Sequence, residues 1–160
     1  MKAVSVVTIR KELHYKSKEE LAELCLRLSR FKKENKELLT YLLFEADSEE
    51  GYIETVKSEI DVQFELINTT SYFYIKKSVR KILRNIRKYI RYSLNKETEV
   101  ILLLYYCQKL NAMKPSIFKN TTLANLYDRN LVAVSKKIEK LHEDLQYDYS
   151  IILDELIAPQ

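Results

Sequence analysis

Residues 66–96 read LINTTSYFYIKKSVRKILRNIRKYIRYSLNK, a run of 31 residues without a single Asp or Glu. Nine Lys or Arg lie in it, the last of them Lys96. The other eight are Lys76, Lys77, Arg80, Lys81, Arg84, Arg87, Lys88 and Arg91. Wound as a helix at about 100° per residue, those eight project into an arc of roughly 140°. Ile75, Val79, Ile82, Leu83, Ile86, Tyr89 and Ile90 fill the opposite arc. The stretch therefore reads as one amphipathic helix ending near Ser93, with a basic face behind an apolar one.

The rest of the chain supports an all-α reading. It has 160 residues, the size of one domain, and can bury about 70% of its unfolded surface without disulfide or metal. One Gly (Gly51) and two Pro (Pro115, Pro159) leave little to punctuate sheets and turns, so a few long helices with short polar links are expected. The same scarcity excludes chemistry. Phosphate-cradling loops and nucleophile elbows need several glycines, and neither can be built around Gly51 alone.

Residues 2–15 carry β-branched Val4, Val6, Val7, Thr8 and Ile9, yet their context favours a helix. Ser17 with Glu20 reads as a capping box, opening a helix with Leu21, Leu24, Cys25, Leu28 and Phe31 on one side. Asn35 can start the next helix, with Leu38, Leu39, Leu42 and Leu43 on its buried side. Asp47, Ser48, Glu49 and Glu50 suit an N-cap and an acidic first turn rather than a calcium loop, whose ligand alternation they lack. Tyr52, Ile53, Val56, Ile60, Phe64 and Ile67 carry the helix that follows.

After the basic helix, Asn95 caps a segment, residues 97–113, that is apolar all round and so belongs at the centre of the core. Lys114, Pro115 and Ser116 end it. A last long helix is expected over residues 124–145. Its seam of Tyr127, Leu131, Val134, Ile138, Leu141 and Leu145 would serve an internal hairpin or, alternatively, a homo-oligomer. Asp148 would then cap a short final helix over residues 149–157.

A faint internal repeat joins the two halves. Arg30, Phe31, Asn35, Lys36 and Glu37 precede Leu42, Leu43 and Phe44. In the same way Arg91, Tyr92, Asn95, Lys96 and Glu97 precede Leu103, Leu104 and Tyr105. Each copy is a cationic amphipathic helix, a short turn and an apolar helix. At the level of fold this resembles the HEAT and armadillo class of α-solenoids over residues 17–113. The resemblance implies antiparallel helix pairs in a short stack presenting an interaction surface, not an activity. A plain helical bundle satisfies the same pattern. The expected organisation is one domain over residues 1–160: an N-terminal segment 1–15, helix pairs 17–113 and C-terminal helices 116–158.

Catalytic and metal chemistry find little support. His14 and His142 stand far apart in charged surroundings and read as surface histidines. Cys25 and Cys107 lie in apolar contexts and read as two buried free thiols of a reducing, cytoplasmic protein. These four residues have no paired spacing for zinc. No carboxylate pair sits in an apolar stretch that would raise a pKa. No cofactor, no enzyme activity and no membrane insertion are expected; the longest apolar run, residues 100–107, is too short to span a bilayer.

Charge supplies the functional expectation. The formal net charge is +4, but residues 66–119 carry 12 basic and 2 acidic side chains between two flanks of net −3 each. The eight-residue face over 76–91 is the candidate site for an anionic partner; a solvated face, neutralised within the fold by the acidic flanks, is the alternative. An acidic protein surface is one such partner and the first reading, with the chain as an interaction module. Nucleic acid bound without sequence preference is the other, aided by Tyr72, Phe73, Tyr74 and Tyr92 near the ends of the face.

Overall fold

A computed structural model describes residues 1–158; Pro159 and Gln160, the end of the expected single domain, lie outside the described residues. Described as helix are α1 (Val6–Leu13), α2 (Lys18–Phe31), α3 (Lys33–Thr40), α4 (Glu49–Glu65), α5 (Tyr72–Ser93), α6 (Lys96–Asn111), α7 (Thr121–Ile138) and α8 (Glu143–Ile157). A π-helical turn, Tyr41–Glu45, extends α3, and a 3-10 turn, Ile117–Lys119, precedes α7. No strand occurs among the described residues. The chain divides into two compact units, residues 1–44 and 45–160.

In the larger unit the core forms where the sequence is most apolar. Helix α6 packs against α4, α5, α7 and α8, which makes it the central helix of a bundle. Val100, Leu102, Tyr106, Cys107 and Leu110 on it are entirely shielded from solvent. The apolar arc of α5 is buried through Ile75, Val79, Ile82, Leu83, Ile86 and Ile90, and this fixes its basic arc outward. Burying a side chain of this size contributes roughly 1.5–3 kcal/mol. Six such residues anchor α5 along its whole length.

The tyrosines of this unit act as ties between helices. Tyr52 donates its hydroxyl to the Tyr89 carbonyl (2.9 Å), joining α4 to α5. Tyr106 donates to the Val79 carbonyl (2.9 Å), and Tyr127 to the Leu156 carbonyl (2.9 Å). Tyr149 donates to Glu97 (2.7 Å) and Tyr105 to Asp61 (2.6 Å). Each ring is an apolar body in the interface with its polar tip satisfied, which a buried hydroxyl requires.

Capping residues mark the helix starts. The Ser17–Glu20 capping box is present, Ser48 accepts from the Gly51 amide, and Asn95 accepts from the Glu97 and Thr98 amides. Helix α5 stops at Leu94, which caps it in the left-handed conformation (φ 57°) that glycine usually supplies.

Expectations for the C-terminal helices are corrected. The helix over 124–145 is two helices: α7 ends at Ile138, and His142 caps α8 by accepting from the Asp144 amide. Glu143 and Asp144 then complement the dipole of α8. Gln146 Nε2 donates to the Leu141 (2.7 Å) and Glu139 (3.2 Å) carbonyls, satisfying acceptors that the end of α7 leaves open. Of the proposed oligomer seam, Tyr127, Leu131, Val134 and Ile138 are buried within the fold, Leu141 lies in the turn and Leu145 on α8. The final helix starts at Glu143, so Asp148 lies inside it rather than at its cap.

The smaller unit corrects further expectations of side-chain placement. Helices α2 and α3 pack on one another, and Asn35 lies inside α3, its side chain donating to the Leu28 carbonyl (2.8 Å) instead of capping. No side chain from residue 1 to 40 is buried. Leu42 and Leu43, expected inside, are 55% and 63% exposed. Cys25, expected buried, is exposed, whereas Cys107 is buried as expected. A two-helix element this short has too little apolar surface to enclose its own leucines. The two stretches of the repeat thus differ locally: Asn35 sits within a helix and Asn95 caps one.

Candidate functional site

The basic residues of α5 form a stripe before they form a site. Lys77, Arg80, Arg84, Arg87 and Arg91 recur at spacings of three and four and stand exposed in one line along the helix. Lys81 is exposed beside them, while Lys76 and Lys88 are half-buried at the margins. From residue 76 to 91 the stripe is about 22 Å long at 1.5 Å per residue. Phe73 begins the same line four residues before Lys77 and is 67% exposed. Tyr74 is 46% exposed and meets Phe73 edge to face, centroids 5.4 Å apart.

Nearby acids do not cancel this charge. Within residues 45–158 no carboxylate lies within 4 Å of Lys76, Lys77, Arg80, Lys81, Arg84, Arg87 or Arg91. Three acids of the bundle are engaged elsewhere: Asp61 with Lys109 (2.9 Å), Glu99 with Lys137 (2.5 Å) and Glu54 with Lys57 (2.8 Å). Lys88 departs from the set, because its Nζ sits 4.9 Å from the centre of the Tyr89 ring and is drawn toward that face of the helix. Among residues 45–158, the expected eight-residue face is thus one helix surface with seven cations that no carboxylate pairs.

The sequence reading missed a contribution from α7. Arg129 and Asn130 of α7, with Leu126 beneath, line a groove of about 480 Å³ whose other wall is Arg80, Leu83, Arg84 and Arg87 of α5. Residue 129 is 38 positions beyond Arg91 on a helix of mixed charge, and no local pattern marks it. Only the packing of α5 and α7 on the same central helix brings it there. Helix α7 also borders a second, more apolar groove of about 840 Å³, lined by Phe118, Tyr127, Leu131, Val132, Leu156 and Ile157 among others.

Burial sets the titration of the shifted groups inside the bundle. Burial pushes the Cys107 thiol up to about 12, so it stays protonated and unreactive. Burial likewise raises Tyr106 and Tyr149 well above the ordinary tyrosine value, with Glu97 adding to the shift at Tyr149. His14 and His142 are exposed, as the sequence reading has them. No group of three His, Cys, Asp or Glu that could hold a metal ion exists among the described residues. No helix among them is long and apolar enough to cross a membrane.

No protein family, curated protein or solved structure matches the chain. The fold and the basic face therefore carry the functional argument by themselves.

Proposed function

We propose that the chain is a non-enzymatic helical interaction module that uses the outward face of α5 to hold single-stranded nucleic acid without strong sequence preference. The observation that carries this reading is the exposed line of Phe73, Lys77, Arg80, Arg84, Arg87 and Arg91. Cations spaced along a line neutralise successive phosphates. An exposed ring at the end of that line offers a stacking surface to any unpaired base. The arc holds none of the Asn or Gln pairings that read base edges, so discrimination among sequences is weak.

The HEAT and armadillo resemblance enters only as architecture, supported by the two-residue link that folds α6 back on α5. Two unpaired cysteines support a reducing, cytoplasmic setting. An acidic protein surface, the other partner class, shares the cations and can also pack on the exposed ring, since aromatic side chains anchor protein interfaces; polyglutamate stands for its charge alone. Fluorescence anisotropy separates the two. Phe73→Ala/Tyr74→Ala should weaken binding of a labelled mixed-sequence single strand about tenfold or more and leave binding of polyglutamate unchanged. Equal affinity of variant and wild type for the single strand would reject the nucleic-acid reading.

A further inference from the structure

We infer that the groove between α5 and α7 is a phosphate-binding seat formed by Arg80, Arg84, Arg87 and Arg129. This rests on the reading of the α5 face as the binding surface and adds a second wall to it. Three guanidinium groups come from one helix and the fourth from another, so the groove is a clamp, not a stripe. Guanidinium is the group that matches phosphate oxygens with two parallel N–H donors, and every charged residue lining this groove is Arg while Lys77 and Lys81 lie outside it. Arg129 is held in place from behind: its Nε donates to the Asn125 carbonyl (3.1 Å), which restrains the side chain before any ligand arrives.

The floor is equally fixed. Asn130 is buried, and its amide donates to the Leu126 carbonyl (2.7 Å). Asp128, the nearest carboxylate in sequence, lines the other groove of α7 instead. Four guanidinium groups with no carboxylate within 4 Å among residues 45–158 surround about 480 Å³ and repel one another in the free protein. An anion with several phosphoryl oxygens relieves that repulsion, so it should both bind and stabilise. The chemistry is a chain of phosphoryl groups, and it has two sources: the backbone of a nucleic acid or a free inorganic polyphosphate.

The experiment measures thermal stability and binding with two probes, inorganic tripolyphosphate and a labelled single-stranded oligonucleotide, against sodium chloride of equal ionic strength. Tripolyphosphate should raise the melting temperature of the wild type beyond the salt control. Arg129→Gln should abolish that rise, and Arg129→Lys should restore only part of it, because the charge returns without the paired donors. Lys77→Gln/Lys81→Gln, on the same helix but outside the groove, should keep it. Circular dichroism confirms that the variants remain helical.

If Arg129→Gln responds to tripolyphosphate as the wild type does, or if the wild type does not respond, the seat is refuted. The oligonucleotide separates this from the broader reading. Strand binding indifferent to Arg129→Gln leaves the α5 face standing and overturns the groove as its phosphate seat. An Arg129-dependent response to tripolyphosphate without strand binding supports the groove as a site for free polyphosphate and removes the nucleic-acid reading.

Discussion

Salt dependence tests the charge on α5 quantitatively. Six side chains of its face stand exposed: Lys77, Arg80, Lys81, Arg84, Arg87 and Arg91. If each neutralises one phosphate of a single strand, at about −0.7 per contact, the logarithm of affinity should fall against the logarithm of salt with a slope of about −4. Between 50 and 200 mM salt that is roughly a 250-fold loss. Replacing three of the six, Arg80→Gln/Arg84→Gln/Arg87→Gln, should halve the slope to about −2 and reduce the loss to about 15- to 20-fold. Gln keeps nearly the helix propensity of Arg, and all three positions are exposed, so the fold should persist. Anisotropy of a labelled single strand, titrated at four or five salt concentrations, reads both slopes. A wild-type slope near zero, or equal slopes in the two proteins, would show that these side chains do not neutralise phosphates and would refute the reasoning.

Two further predictions concern the bundle itself. Leu94 is 82% exposed and holds φ 57°, a conformation costing a branched residue about 1–2 kcal/mol that glycine escapes. After the greater chain entropy of glycine is deducted, Leu94→Gly should stabilise by about 0.5–1 kcal/mol in urea unfolding, and a loss of stability would count against the α5 terminus described. The Tyr105–Asp61–Lys109 contact predicts pH dependence at both extremes. Burial pushes the Tyr105 hydroxyl up to about 12, helped by its bond to Asp61. Its folded pKa is thus above its unfolded one, and stability present below pH 10 should be lost as pH rises from about 10 to 12. Burial also pushes the Asp61 carboxyl up, but Tyr105 and Lys109 together more than offset this, so it ends below its ordinary value of 3.8. That contribution is present above the unfolded pKa and is lost as pH falls through the lower folded one. Asp61→Asn should flatten the acid limb in urea melts; an unchanged acid limb would contradict the assignment.

What could be read in the sequence was whatever short-range rules decide. The ends of α5, its two faces, the caps at Ser17, Ser48 and Asn95, and the central place of α6 all follow from helical periodicity and from side chains bonding to backbone within one turn. The misread break after Ile138 shows the limit of periodicity. Leu141 and Leu145 keep the three-and-four spacing by coincidence, while the real signal was local: His142 followed by two acids, a helix start.

Tertiary structure alone decided the rest. An apolar pattern states that a face seeks cover but not whether cover exists, so the leucines of α2 and α3 looked like those of α6 although no side chain from residue 1 to 40 is buried. Cys25 was misplaced for the same reason. Net charge by segment predicted an anionic partner, yet which cations remain unpaired depended on where Asp61, Glu97 and Glu99 found their partners. The groove itself was invisible. Arg129 joins Arg80, Arg84 and Arg87 because α5 and α7 both pack on α6, and a convergence between residues some forty positions apart leaves no periodic trace along the chain.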